Sequence, residues 1–224
     1  MAQPVRARQL AFDLFHGESL SREDFLVGPT NAEALALIER WPDWPTPIVA
    51  LVGPAGAGKS HLAAIWAAEA GARFLSARAL READLPAALA TGALVVEDLA
   101  PGAFDERALF HLLNLAREQE AFVLLTSGAP ALTAKLPDLA SRLRAVPVVR
   151  LAPPDEALLR AVLVKLFADR QLRVDEGLIT FLIGRIERSV PAAKAAVARL
   201  DGEALRLRRP VNRALAAELF QAPG

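Results

Sequence analysis

The chain has 224 residues, 53% of them hydrophobic and 23% charged, with 26 basic and 26 acidic side chains and a net charge of zero. That balance supports a real hydrophobic core and excludes both a disordered chain and a protein-wide basic field for nucleic acid. The absence of Cys excludes a disulfide framework, a thiolate nucleophile and a Cys-based zinc site.

Residues 1–24 mix charges with one apolar cluster, Gln9-Leu10-Ala11-Phe12-Asp13-Leu14-Phe15, and read as a flexible arm. From Phe25 the pattern is globular. Residues 31–40 are expected to form a helix. Residues 41–47 carry three prolines and must be a loop, because each Pro removes a donor and biases its predecessor away from the helical region. Trp41 and Trp44 are expected to pin that loop to the core. Residues 48–52, 94–96, 122–125 and 148–151 are short, β-branched-rich runs that read as buried strands, with 73–76 a further candidate. Helices are expected between them at 59–70, 77–90 and 104–120. Strand and helix in alternation predict an α/β fold with a parallel sheet covered on both faces. After Pro153-Pro154 the strands stop, and helices are expected at 155–170, 175–188, 192–200 and 211–220, with Asp155 and Asp175 as N-caps. The expected organisation is an arm at 1–24, an α/β core at 25–153 and a small all-α lid at 154–224. With three His, a His-rich metal centre is not expected; His16 and His111 lack partners at ligand spacing. No apolar run approaches the roughly 18 residues of a membrane span, and the N-terminus lacks a signal-peptide core. A soluble, cytoplasmic protein is expected, with no membrane partner.

Gly53-Pro54-Ala55-Gly56-Ala57-Gly58-Lys59-Ser60 matches G-x-x-x-x-G-K-[ST] and lies between an expected strand and an expected helix, the context that motif needs. Its glycines let several N–H groups turn inward around a phosphate, and the helix N-terminus adds partial positive charge. Lys59 would neutralise the β- and γ-phosphates and Ser60 would ligate Mg²⁺, so ADP or ATP with Mg²⁺ is the expected cofactor. His61 follows directly; it is grouped with the nucleotide site by position and reads as a packing residue. A phosphate-loop protein also needs an acid at a neighbouring strand end to hold Mg²⁺ directly or through water. Glu97 and Asp98 end the run Leu94-Val95-Val96, and either can face the metal; Asp98 could also orient water. Thr126 and Ser127 end the next run, where a hydroxyl could meet the γ-phosphate or the attacking water.

Together these features resemble the AAA+ ATPases, and within them the Hda family of DnaA-related regulators. The likeness runs over nearly the whole chain. Phe25 to Leu35 is similar to the segment leading into the nucleotide site, and Gly53 to Ala67 to the phosphate loop and its helix. The stretch Leu136-Pro-Asp-Leu-Ala-Ser-Arg-Leu143 resembles the segment carrying the arginine finger, and the heptapeptide Gln9 to Phe15 resembles a sliding-clamp-binding peptide. The resemblance implies that Arg142 is an arginine finger offered to a neighbouring protein's nucleotide, with Arg144 a second candidate. It also implies that Gln9, Leu10, Phe12, Leu14 and Phe15 bind the DNA polymerase sliding clamp. Elementary physics agrees on the arm. An exposed apolar cluster usually has a partner, and an extended peptide can place Leu14 and Phe15 in an apolar pocket while the Gln9 amide fixes register. The same segment could instead fold back on its own core.

Two departures from the family pattern stand out. Glu97 occupies the strand-end place of the usual Asp. Where a sensor arginine is usual, early in the third lid helix, the sequence has Pro191, with Arg188 one turn earlier as a substitute contact. Proline cannot contact phosphate, so intrinsic ATPase activity is expected to be weak or absent. The helix-turn-helix domain of initiators is expected to be missing, and Arg206, Arg208 and Arg209 read as a solvated helix connection. The implied function is negative regulation of chromosomal replication initiation, by stimulating hydrolysis of ATP bound to the initiator DnaA. The implied partners are the sliding clamp, DnaA and a second copy in a homodimer, with DNA only indirectly through the clamp. A self-sufficient small phosphate-loop phosphotransferase and an AAA+ DNA-loading accessory factor are the alternatives.

Overall fold

Five short strands lie side by side in one fully parallel sheet, in the order β2-β3-β4-β1-β5. The structure is a computed structural model and describes residues 20–220. In chain order its elements are α1 (Ala32–Glu39), β1 (Ile48–Val52), α2 (Lys59–Ala70), β2 (Arg73–Ser76), α3 (Leu85–Ala88), β3 (Ala93–Glu97), α4 (Glu106–Glu118) and β4 (Phe122–Ser127). They continue with α5 (Pro137–Arg144), β5 (Val148–Arg150), α6 (Glu156–Asp169), α7 (Glu176–Ile183), α8 (Val190–Leu207) and α9 (Arg213–Leu219).

Successive strand residues serve opposite layers, as the two-residue strand period requires. Ile48 and Ala50 of β1, Leu94 and Val96 of β3, and Val123 and Leu125 of β4 pack against α3, α4 and α5. Val49, Leu51, Val95 and Leu124 face the other way, onto α1 and α2 with Trp66 at the centre. Because both faces are covered, β1 is buried at all five positions, and its sequence is a continuous apolar run rather than an alternating one. Each large apolar side chain buried in full contributes about 1.5–3 kcal/mol. The proline-rich loop is pinned as expected. The Trp44 and Trp66 rings stack at 4.9 Å, the Trp44 indole donates to the Leu37 carbonyl at 2.8 Å, and Trp41 meets Phe122 edge-on.

The change from strand to helix falls between Arg150 and Glu156, and α6 to α9 then bury a third apolar cluster that includes Leu159, Phe167, Leu182, Leu200 and Leu215. Asp155 and Asp175 accept from the Leu158 and Leu178 amides at 2.7 and 2.8 Å, so both caps act as expected. Three helix expectations need correction. The helix expected at 175–188 stops at Ile183, where Gly184, a poor helix former, ends it and residues 184–189 turn into α8. Residues 77–90 are not one helix: they form two 3₁₀ turns, Ala77–Ala79 and Glu82–Asp84, followed by the four-residue α3. Pro86 forces the break, since inside a longer helix its ring would clash with a carbonyl one turn back; at the first turn its missing N–H is harmless. The third lid helix is longer than 192–200. It starts under the Ser189 cap and runs to Leu207, because the buried series Ala193, Ala196, Val197, Leu200 and Ala204 keeps helical spacing. Among the described residues, no helix is long and apolar enough to cross a membrane.

Candidate functional site

Register decides what meets at the C-terminal edge of the sheet. Val52 pairs with Ser127 and with Arg150, and β3 ends beside β4 at Glu97. The segment 53–58 leaves β1 at that edge and turns into α2. Two of its glycines are required by close approach. A Cβ at Gly53 would lie 2.4 Å from the Leu151 carbonyl oxygen. At Gly56, with φ of +74°, it would lie 2.8 Å from both the Ser189 Cβ and the Pro191 Cδ. No side chain caps α2 at Gly58, whereas Asp105 and Asp155 fill that place in α4 and α6. The first N–H groups of α2 are thus left for an incoming anion. Pro54, Ala55 and Ser60 are exposed on this loop and Ala57 is buried beneath it.

Lys59 is only 8% exposed, and its ammonium donates to the Gly53 and Pro54 carbonyls at 2.8 Å each. Two of its three protons hold the loop in shape, leaving one for a ligand. Burial pushes the ammonium below the ordinary lysine range, and the negative charge of Asp98 opposes that shift. Asp98 is therefore the acid whose field reaches the loop lysine. Glu97 is half-buried as the last residue of β3. Asp98 follows in a left-handed conformation with φ of +58°, and its amide donates to the Thr126 hydroxyl at 3.2 Å. Thr126 and Ser127 are both 1% exposed. The Ser127 hydroxyl donates to the Leu99 carbonyl at 2.5 Å and accepts from the Ala129 amide at 3.1 Å. These hydroxyls clip the turn after β3 onto β4 and so fix where Asp98 stands.

The lid reaches the loop through α8. The Val190 amide donates to the Gly56 carbonyl at 3.4 Å, with Ser189 and Pro191 against Gly56 itself. Pro191 thus sits directly on the phosphate loop and brings no charge to it. Arg188 is exposed just before α8. His61 lies in the first turn of α2; its Nε2 is 2.8 Å from the Ser21 carbonyl, and its ring packs edge-on against Phe25.

Arg142 lies in the last turn of α5, half-buried, with its guanidinium 4.8 Å from the centre of the Phe110 ring. Arg144 is exposed. The Glu106 carboxylate, at the start of α4, accepts from the Lys135 and Leu136 amides at 2.7–3.0 Å. Those bonds hold its carboxyl below the usual carboxylate range and tie the entrance of α5 to α4. Sequence reasoning missed this latch, because no local pattern links residues 29 and 30 positions apart. The seating of α8 on Gly56 had a partial signal in the Ser189-x-Pro191 start signature. Arg206 and Arg209 are ion-paired on the surface with Glu203 and Glu218, as a solvated connection would be. Among the described residues no group of three or more His, Asp or Glu could by itself hold a metal ion. The arm residues Gln9, Leu10, Phe12, Leu14 and Phe15 lie outside the described residues.

No protein-family model matches the chain, and a search of curated proteins finds no match. Solved structures do match. The chain is similar to domain III of the replication initiation protein DnaA from Thermotoga maritima, with a TM-score of 0.74 and 20% identity over 92% of this chain and 98% of that one. It is similar to AMPPCP-bound DnaA from Aquifex aeolicus, with a TM-score of 0.70 and 18% identity over 86% of this chain and 68% of that one. A third likeness is the RuvB Holliday junction branch migration motor of Thermotoga maritima, with a TM-score of 0.69 and 16% identity over 88% of this chain and 70% of that one. The fold is therefore the AAA+ fold: a parallel α/β core carrying a helical lid.

Proposed function

We propose that this chain is an Hda-like regulator of replication initiation. It would bind ADP or ATP in its own loop and act on the nucleotide of a bound initiator. One observation carries this reading: the loop offers a lysine, uncapped amides and an acid within electrostatic reach, while the lid residue resting on it is Pro191. A site built to hold nucleotide but given no charge from its lid suits a regulator better than a motor. The DnaA-like and AMPPCP-bound neighbours support nucleotide binding and a role in replication.

In this reading the Gly56 to Ser60 amides and the Lys59 ammonium hold the phosphates. Ser60 and Asp98, with Glu97 as the other carboxylate, would hold Mg²⁺. That donor set fits, since Mg²⁺ keeps several waters and takes one or two protein oxygens besides phosphate. The ion would neutralise phosphate charge. Arg142 presents its planar fork to the initiator's nucleotide, where such a group stabilises charge developing in the transition state by a factor of roughly 10³–10⁵. The heptapeptide Gln9 to Phe15 would dock the protein on the sliding clamp and so on DNA.

Two variants test the division of labour. Arg142→Ala should abolish stimulated initiator ATP hydrolysis and leave clamp binding intact. Leu14→Ala with Phe15→Ala should lose clamp binding in a pull-down. Rapid turnover by the purified protein alone would instead favour the self-sufficient phosphotransferase.

A further inference from the structure

Residues 20–28 lie ahead of the first helix, yet they touch three separate parts of the molecule. The Ser21 carbonyl meets His61, one residue beyond the phosphate loop, at 2.8 Å. Phe25 packs edge-on against the His61 ring and stands so close to Gly58 that a Cβ there would come within 3.3 Å of it. Arg22 pairs with Glu39 at the end of α1. On the lid side, Asp24 pairs with Lys165 of α6 at 2.8 Å, and Lys165 also holds Asp169 of its own helix. Leu26 joins the lid's apolar cluster, and Gly28 lies against Leu158 with no room for a side chain to spare. The Ser21 hydroxyl donates to the Asp24 carboxylate at 2.9 Å, bracing the two ends of the link against each other. The Asp24–Lys165 pair is partly shielded, with side chains 28% and 30% exposed. Lys165 is held above the ordinary lysine range, first by Asp24 and then by Asp169.

We propose that residues 20–28 are a strap joining the phosphate-loop helix to the lid, and that release of bound nucleotide requires the Asp24–Lys165 pair to open. This rests on the nucleotide reading above. The lid is held over the loop at two points, directly by α8 on Gly56 and at a distance by the strap on α6. A ligand under the lid is retained by both. Coupling of this kind is reciprocal in binding free energy: what loosens the strap weakens nucleotide binding, and what fills the site steadies the strap. Five residues lie between Phe15 and Ser21, so a partner holding the heptapeptide would stand within about 20 Å of the strap's first contact.

The test uses the full chain and mant-ADP, with release followed by stopped flow. Asp24→Asn and Lys165→Met should each speed release about 3–10-fold. The double variant should be no faster than the faster single variant, because one interaction is removed only once. High salt should speed release by a larger factor in the parent than in the variants, which have no Asp24–Lys165 pair left to screen. Amides in 20–28 should gain hydrogen-exchange protection with ADP in the parent and not in Lys165→Met. Release rates within twofold of the parent, in variants with unaltered melting curves, would overturn the strap. A parent that binds no mant-ADP would overturn the nucleotide reading itself, and with it this proposal.

Discussion

Two cations, in two regions of the core, carry opposite designs. Lys59 is buried in the loop, spends two protons on its own backbone, and has its positive charge disfavoured by burial. Arg142 is half-exposed on α5, resting on an aromatic face and held from behind by α4. The first arrangement suits holding a ligand in the molecule's own site, because desolvation would make the lysine gain from any phosphate that arrives. The second suits delivery of charge to something outside, since a guanidinium on a ring keeps its charge and its fork while facing solvent. In the proposed function, these two basic residues are sorted by burial into retention and presentation.

The largest effect should come from the presenting region. Arg142→Ala should lower stimulated initiator hydrolysis by about 10³-fold or more while changing ADP affinity less than twofold. Equal loss of both would erase the contrast. Arg142→Lys should rescue poorly, because a single ammonium cannot replace the bidentate fork.

In the retaining region, Lys59→Met should weaken nucleotide binding by roughly 10–100-fold, the worth of a charge-assisted hydrogen bond, as measured by calorimetry. Without nucleotide, the stability of the parent relative to the same variant should rise with pH. The sign follows from the lowered lysine pKa. The unfolded chain binds the proton more readily than the folded one, so stability rises with pH as Lys59 loses its proton and is held back below that range. A thermal melt across neutral to alkaline pH would show the parent gaining on Lys59→Met.

A smaller effect is expected at the junction with the lid. Gly56→Ala places a Cβ 2.8 Å from Ser189 and Pro191 at a positive φ, which should destabilise the fold by about 1–3 kcal/mol and loosen the lid. The smallest should come from the latch behind Arg142. Glu106→Ala should reduce stimulated hydrolysis a few-fold with no change in ADP binding. Because its folded-state pKa is depressed, Glu106 contributes stability above the ordinary carboxylate range and loses it as pH falls through the lower folded value. The variant should therefore show a flatter acid limb in a pH-dependent melt.

Much of this was written locally. The phosphate loop is eight consecutive residues between a strand and a helix. The Asp155 and Asp175 caps act three residues ahead, and the pinned Trp loop announces itself by its prolines. Signals of that kind travel a few positions along the chain, because they arise from backbone sterics, periodicity and single hydrogen bonds. Even there Pro86 divided a stretch whose composition suggested one helix, since the ring's clash outweighs the summed propensity of its neighbours.

What the sequence alone determined was the layered α/β core, the helical lid and the loop that would grip phosphate. Only the tertiary structure decided that Asp98 rather than Glu97 acts on Lys59. That choice depends on strand register and on a left-handed turn anchored by Thr126, 28 residues away. The same holds for the Glu106 latch, the seat of Pro191 on Gly56, and the strap from Ser21 to Lys165. Contacts between distant residues have no local cause. They exist because elements with independent reasons to form are packed at fixed separations, and packing is a property of the whole molecule.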